Sequence, residues 1–244
     1  MKLVMTLLVR DEADILALNL EHHISQGIDH FIVTDNGSVD TTPLILEEYV
    51  SRSLVDLIHE PSETYDQALW VTRMAEQAAS DGADWVIHAD ADEFWIARES
   101  GKTIRDVIEA LPVHQPLHNV QRWNAAVHRR HDRADWIDPV DVRWFDTASE
   151  NNLGTPLPPK VFHRGRAGVQ IRQGNHNLVW PDPSVQINRC EQLIILHFPY
   201  RGYSHYAQKI QKGGRSYSAN PDLPDSFGET WRTDYLHWMG GRLQ

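Results

Sequence analysis

Residues 85–95 read WVIHADADEFW, and this stretch decides how the rest of the chain is interpreted. Its apolar start, residues 85–87, predicts a buried strand that ends in two carboxylates one residue apart, Asp90 and Asp92, with Glu93 beside them. Like charges placed together cost free energy unless a cation, hydrogen bonds or solvent offsets them. Because carboxylate oxygens suit Mg²⁺ and Mn²⁺, the pattern favours a divalent ion that in turn holds a diphosphate.

Residues 1–112 alternate between short apolar runs and amphipathic segments. The apolar runs at 3–9, 31–33, 55–58 and 85–89 predict strands. Helices are predicted between them, the first capped by Asp11 and the third covering residues 61–80. Strand and helix alternating at this spacing is typical of βαβ units, so we expect an α/β fold with a mostly parallel central sheet flanked by helices.

Polar clusters follow three of the predicted strands. Arg10-Asp11-Glu12 follows the first, Asp35-Asn36 the second and Asp90-Ala91-Asp92 the fourth. Ligands of open parallel sheets bind outside the carboxyl ends of the strands, so these clusters are expected to meet at one edge. The chain contains neither glycine-rich phosphate motif, Gly-x-Gly-x-x-Gly or Gly-x4-Gly-Lys-Ser/Thr. We therefore expect a nucleotide here to be held by a metal and by side chains.

The composition of the sequence changes after residue 112, and the regular alternation of predicted strands and helices stops. Residues 113–160 are rich in His, Arg, Trp and Asp, with possible strands at 120–123 and 140–145 and a loop over 147–159. Strand character returns at 160–164, 169–171 and 193–196, and a helix is predicted over 203–218. We predict a nucleotide-sugar-binding half (1–112), an acceptor-side and metal-completing half of the same domain (113–200), and a C-terminal helix and tail (201–244).

The composition and charge of the chain exclude some classes of function. The formal net charge of −11 over 244 residues argues against a nucleic-acid binder, which needs a basic face. A single cysteine excludes an internal disulfide and fits a reducing cytoplasm. The apolar run Leu3–Val9 is too short for a membrane span. We expect a cytoplasmic protein that binds no nucleic acid and has no membrane span.

The motifs together resemble those of bacterial family 2 glycosyltransferases with the GT-A fold. Arg10-Asp11-Glu12 is similar to that family's Arg-Asn-Glu, with Asp in place of Asn. Residues 34–41 resemble its Asp-x-x-Ser-x-Asp-x-Thr motif, and residues 90–94 its Asp-x-Asp-Glu-Phe motif. Pro159-Lys160-Val161, Gly174-Asn175-His176, Leu196-His197 and Lys209 resemble its C-terminal half. The resemblance spans roughly residues 3–212.

The resemblance implies roles for particular residues. The nucleotide would be bound by Arg10, Glu12, Asp35, Asn36, Asp90, Ala91 and Lys209. Mn²⁺ or Mg²⁺ would be held by Asp90 and Asp92, with His176 as the first choice for a histidine ligand and His197 as the second. The catalytic base would be one acceptor-side carboxylate among Asp132, Asp135, Asp141, Asp146 and Glu150.

These readings predict a hexosyltransferase-like enzyme that moves a sugar from a UDP or GDP sugar to a hydroxyl of a sugar or glycan acceptor, with inversion. Two alternatives stay open, a metal-dependent phosphoesterase and a non-catalytic nucleotide- or glycan-binding module. Structural roles also compete at single residues. Asp90 and Asp92 could cap the next element, and Asp35 could shape the turn after the second strand.

Overall fold

The computed structural model describes residues 1–62, 66–126, 138–151, 153–219 and 228–242, and no side chain of residues 217–219 is considered below. The chain forms two compact units. The first consists of Met1–Pro61, Asp66–Arg122 and Pro158–Leu196, and the second of the described parts of Ser62–Tyr65, Trp123–Leu157 and His197–Gln244.

The secondary structure confirms the predicted alternation of strands and helices. The strands are β1 (Leu3–Val9), β2 (His30–Asp35), β3 (Val55–His59), β4 (Trp85–Asp90), β5 (Glu93–Ala97), β6 (Leu117–Val120), β7 (Arg122–Ala125), β8 (Phe145–Asp146), β9 (Lys160–Arg164), β10 (Gln170–Ile171), β11 (Leu178–Val179), β12 (Asn188–Arg189) and β13 (Leu193–His197). The helices are α1 (Leu16–Ser25), α2 (Thr42–Ser51), α3 (Gln67–Ser80), α4 (Ile104–Glu109), α5 (Tyr203–Ala219) and α6 (Glu229–Met239).

The first unit is built on a seven-stranded sheet in the order β12-β6-β9-β4-β1-β2-β3. Strands β4, β1, β2 and β3 run parallel. Strand β9 is antiparallel to both β4 and β6, and β12 is parallel to β6. The α/β prediction is therefore confirmed as a mixed sheet flanked by helices. The antiparallel β9 matters for the site, because its first residues arrive beside the end of β4.

Helix α3 covers one face of this sheet. Val4, Ile32, Val86 and Val161, one from each of four strands, join Met74 and other α3 residues in one buried apolar cluster. The helix begins at Gln67 and not at Pro61 as predicted, because the Asp66 side chain accepts a hydrogen bond from the Leu69 N–H and caps it. On strands, alternate residues face opposite sides, so the other face carries Phe162, which contacts Trp95 edge-on.

The second unit contains the antiparallel pair β7 and β8 and the helices α5 and α6. The strand predicted over 140–145 is wrong except at its last residue, Phe145, which begins β8. Pro139 lacks an N–H and Asp138 caps the Val140 N–H, so a 3-10 turn, Pro139–Asp141, forms in its place. The helix predicted from residue 203 is confirmed as α5, whereas no helix was predicted where α6 lies. Among the described helices, none is both long and apolar enough to cross a membrane.

Two glycines allow α5 and α6 to approach closely. A Cβ at Gly213 would lie 2.6 Å from the Trp231 ring, and one at Gly214 would lie 2.4 Å from the Tyr235 Cβ. The Tyr206 hydroxyl also donates to Asp234 across the pair, at 2.7 Å. At these positions the backbone of α5 therefore packs directly against aromatic side chains of α6.

We expect Gly214→Ala to destabilise the α5–α6 pair by about 1–3 kcal/mol. The added methyl overpacks against Tyr235, and this exceeds the gain of up to about 1 kcal/mol from replacing a helical glycine. Urea unfolding measures the difference. The control is Gln208→Ala on the exposed side of α5, which should change stability by less than about 0.5 kcal/mol. Equal stability of the two variants would contradict the close packing.

Candidate functional site

Three predicted polar clusters meet at one edge of the sheet in the first unit. Val9 lies opposite Asp35 across β1 and β2, and Leu8 lies opposite Asp90 across β1 and β4. The strand order departs in both directions from β1, with β2 on one side and β4 on the other. Such a switch point opens a crevice at the carboxyl ends of the strands, which is where ligands of α/β sheets bind.

The loops after β1 and β2 are locked together by Asp11. Its carboxylate accepts from the N–H groups of Val39 and Asp40, at 2.7 and 3.2 Å. Its own N–H donates to the Ser38 hydroxyl, at 2.9 Å. Asp11 was expected to cap α1, and this is wrong: α1 begins after Ile15 without a side-chain cap. Because two donors converge on one oxygen, an acceptor-only carboxylate suits the position where the resembled motif has Asn.

Asp35 is buried and shapes the turn that follows β2. Its Oδ1 accepts from both the N–H and the hydroxyl of Ser38, at 3.1 and 2.5 Å. Asn36 is also buried and bridges two segments, donating to the Glu60 carbonyl and accepting from Arg10 at 3.5 Å. The turn role that competed with nucleotide binding is therefore real for Asp35, and its two bonds leave the second carboxylate oxygen out of the turn.

The turn Asp90–Glu93 is held from inside the protein. The Asp90 N–H donates to Glu93 Oε2 at 3.1 Å. Asn19 on α1 donates to the carbonyls of both Ala91 and Glu93, at 2.9 Å each. Ala91 and Asp92 are buried, whereas the Asp90 side chain is 33% exposed. The geometry gives the turn one conformation and leaves the Asp90 carboxylate accessible.

Two cations offset the carboxylates at this turn. Lys160 Nζ, at the start of β9, lies 2.5 Å from Asp90 Oδ2 and 3.3 Å from Glu93 Oε1. Arg122 lies 3.2 Å from the same Glu93 oxygen. Both cations and Glu93 are buried. Burial raises the pKa of Glu93 to about 7, while Lys160 and Arg122 lower it and Asp90 and Asp92 raise it.

A tight turn brings Asn175 and His176 to the same place. The Asn175 amide donates to Asp90 Oδ1 at 3.4 Å. His176 Nδ1 donates to the Pro159 carbonyl at 3.0 Å, which makes Nε2 the acceptor nitrogen of the neutral ring. The ring lies over Gly174, where a Cβ would be 2.5 Å from His176 Nε2 and φ is 76°. Glycine is required there on both grounds.

The predicted metal ligands are partly brought together. Asp90 and Asp92 share one turn, but among the described residues they and His176 do not form a cluster whose ligand atoms all lie within 4.8 Å of one another. His176 nevertheless fits a metal, because ligand histidines commonly donate their second nitrogen to a carbonyl. His197 belongs to the second unit, where its Nδ1 lies 2.7 Å from Asn124 Oδ1.

Glu12 lies in the first unit, where its N–H donates to the Thr42 hydroxyl at 2.9 Å. Lys209 and three of the candidate bases lie in the second unit. Lys209 lies on α5 with its Nζ 5.7 Å from the centre of the Trp231 ring. Asp141, Asp146 and Glu150 are all exposed, and Asp146 caps the Ala148 N–H. The geometry of the second unit distinguishes none of the three as a base. The other two candidates, Asp132 and Asp135, lie outside the described residues.

Sequence reasoning missed the partners of the carboxylates. Lys160 and Asn175 stand inside quoted motifs but were assigned no role, and Arg122 and Asn19 were not singled out. A lysine at the first position of the strand Lys160–Arg164, directly before the apolar pair Val161-Phe162, was the one available signal. A buried charge needs a partner, and three uncompensated carboxylates stood at the end of β4.

A neutral chain of hydrogen bonds runs beneath Asp90. His163 Nδ1 must donate to the Arg164 carbonyl, at 2.8 Å, so its Nε2 accepts from His88 Nε2 at 3.0 Å. His88 Nδ1 then accepts from the Thr6 hydroxyl at 2.7 Å. Burial lowers the pKa of His163 to about 4 and holds that of His88 well below its ordinary value. Both rings are neutral in this arrangement, since a second proton would set two N–H groups against each other.

Known proteins resemble this chain in family and in fold. The model of Glycosyltransferase family 92 matches residues 4–164. No curated protein matches the sequence. A structure of residues 1–349 of TarS from S. aureus in complex with UDP has a TM-score of 0.52 and 12% identity, covering 98% of this chain and 72% of that one. Another TarS structure has a TM-score of 0.50 and 11% identity, covering 98% of this chain and 43% of that one. At such identities the likeness concerns the fold.

We expect His163→Asn to flatten the dependence of stability on pH between 6.5 and 4. In this window the histidines bind protons in the unfolded chain, whereas the buried rings of His163 and His88 stay neutral in the folded protein. The free energy of unfolding of wild type therefore falls with falling pH, by up to about 3 kcal/mol from His163 alone. Glu93 acts in the opposite direction between about 7 and 4.5, because its folded pKa is raised. Melting temperatures across this range measure the slope. Exposed His114→Asn should reproduce the wild-type slope, and an unchanged slope in His163→Asn would contradict the neutral chain.

We expect Lys160→Met to cost about 3–5 kcal/mol at pH 8, because removing one partner of a buried ion pair leaves charge uncompensated. The loss should be smaller at pH 6, where Glu93 takes up a proton. Denaturant unfolding at the two pH values tests both statements. Lys102→Met, which removes an exposed ion pair with Glu99, should cost less than about 1 kcal/mol at either pH. A pH-independent loss in Lys160→Met would show that Glu93 is not its partner.

Proposed function

The chain belongs to glycosyltransferase family 92, and from that premise we propose that it moves a sugar from a nucleoside diphosphate sugar to a hydroxyl of a sugar or glycan acceptor. The family supports the predicted glycosyltransferase class, and the hexosyltransferase character is part of the proposal. The observation that carries the rest is the meeting of Asp35 and Asp90 at the switch point of the sheet, in a crevice of the kind that binds nucleotides. The GT-A fold and the family 2 character of the motifs are part of the proposal.

The nucleotide lies across the ends of β2, β1 and β4 in this proposal. Asp35, Asn36 and Arg10 form the wall for the base, and the rigid loop that contains Glu12 adjoins them. Asp90 and the Ala91 backbone take the ribose side, since Lys160 already occupies one Asp90 oxygen and disfavours a second cation there. Lys209 on α5 supplies positive charge for the diphosphate. UDP is the first nucleotide to test, since a TarS structure of similar fold contains it; GDP is the second.

A divalent ion, Mn²⁺ or Mg²⁺, would be held by Asp92 and His176 in this proposal, with His197 as the alternative histidine. Carboxylate and imidazole are suitable ligands, and imidazole favours Mn²⁺ over Mg²⁺. When bound, such an ion supplies charge neutralisation to the diphosphate as it leaves. The Pro159 carbonyl orients His176 for this role by fixing which ring nitrogen carries the proton.

An acceptor-side carboxylate removes the proton from the acceptor hydroxyl as a general base. Asp132, Asp135, Asp141, Asp146 and Glu150 are the candidates. In-line attack by the hydroxyl inverts the anomeric carbon. The phosphoesterase alternative is less well supported, because Lys160 stands where a second metal would share Asp90.

A panel of nucleoside diphosphates and their sugars, with and without Mn²⁺, tests the donor by thermal shift. A ligand at 100 times its dissociation constant raises stability by about 2.7 kcal/mol, so the correct base should stand out. Slow release of UDP or GDP from the sugar donor supports a transferase. Release of orthophosphate supports the esterase, and binding without turnover on any acceptor supports the binding module.

We expect Asp92→Asn to lower Mn²⁺-dependent donor hydrolysis by about 100-fold or more, because the substitution keeps the side-chain shape and removes the charged ligand. Release of the nucleoside diphosphate is the measurement. The matched control is Asp84→Asn at the opposite end of β4, where the carboxylate accepts from the Lys2 N–H. Full Mn²⁺-dependent activity in Asp92→Asn would remove Asp92 from the metal site.

A further inference from the structure

One buried polar atom at the site has no partner among the described residues. Asn175 is 1% exposed, and its Oδ1 accepts no hydrogen bond there. The orientation of the amide is fixed by chemistry, because a carboxylate can only accept and the Nδ2 group must therefore face Asp90. The unpartnered atom is thus the carbonyl oxygen, a hydrogen-bond acceptor.

The backbone at Asn175 has a φ of 60°, in the left-handed region. Asn adopts this region more readily than most non-glycine residues, so the cost at this residue lies in the side chain. A buried acceptor without a donor costs free energy. Such a cost tends to persist at sites where the unmet group serves a ligand.

Asp90 offers a second acceptor beside the first. Lys160 occupies its Oδ2 at 2.5 Å, while from the described part of the chain its Oδ1 receives only the 3.4 Å bond from Asn175. A carboxylate oxygen can accept more than one hydrogen bond, and the Asp90 side chain is one-third exposed. Asp90 Oδ1 and Asn175 Oδ1 are therefore neighbouring acceptors, separated by the Nδ2 group of the Asn175 amide. The Lys160 ammonium group is bonded to the other oxygen of Asp90.

We propose that Asn175 is a specificity-determining residue of the donor site, whose Oδ1 pairs with Asp90 Oδ1 to bind hydroxyl groups of the nucleotide sugar. Adjacent acceptors suit a diol, in which each hydroxyl donates one bond. Lys160 disfavours a metal ion at the same place. The inference rests on the proposed function, because both the ribose and the transferred sugar of such a donor carry hydroxyls.

Asn175→Gly tests the proposal, since glycine adopts the same backbone conformation without strain. The control is Asn177→Gly, an exposed residue of the same loop. Isothermal titration with UDP, 2′-deoxy-UDP and UDP-glucose, in the presence of Mn²⁺, measures affinity. If the ribose is bound, the variant loses about tenfold or more in affinity for UDP and little for 2′-deoxy-UDP. If the sugar is bound, only UDP-glucose loses affinity. Either result supports the hydroxyl site.

Stability separates this role from a structural one. We expect the melting temperature of ligand-free Asn175→Gly to lie no more than about 2 °C below that of wild type. The reason is that the variant no longer buries an acceptor without a donor. A fall of several degrees, or affinities for all three probes equal to wild type, overturns the inference and leaves the proposed function standing. If UDP, GDP and their sugars all fail to bind wild type, the proposed function and the inference fall together.

Discussion

The site depends on how a buried group of carboxylates is neutralised. Glu93 lies fully buried behind Asp90 and Asp92, and a charge in that position is tolerated only with partners. Lys160 and Arg122 provide them, at 3.3 and 3.2 Å from one Glu93 oxygen. Because Lys160 also bonds Asp90, the same ammonium group positions the exposed carboxylate. The antiparallel β9 is therefore part of the site, although it carries no residue that a motif would have named as functional.

The sequence predicts the parallel half of the fold well because its signals are local. Strands β1 to β4 each show a short, mainly apolar run of the right length, and polar clusters mark the carboxyl ends of β1, β2 and β4. Convergence of Asp35 and Asp90 then follows from topology alone. Element boundaries fail where a side-chain cap decides them, as at Asp66, and where proline removes a backbone donor, as at Pro139.

The remaining parts of the site could not be read from the sequence because they depend on long-range contacts. The Asn175 amide reaches Asp90 across a separation of 85 residues, and Asn19 holds the Ala91 carbonyl across 72. Neither contact leaves a periodic pattern. Asp11 illustrates the converse, since a residue in a plausible capping position serves to join two loops. The glycosyltransferase class was reachable through motif resemblance, while the buried cations were not.

The position of Lys160 along the chain also bears on the order of folding during synthesis. Lys160 follows Asp90 by 70 residues, so a nascent chain that has completed β1 to β4 exposes its carboxylates before Lys160 on β9 or the Asn175 turn has left the ribosome. Contacts that close such long loops form late. The parallel strands can therefore assemble first as a scaffold. The carboxylates of the acidic turn are paired with Lys160 only when β9 joins the sheet. The contacts of this turn are in this sense completed after the scaffold, during the last third of elongation to residue 175.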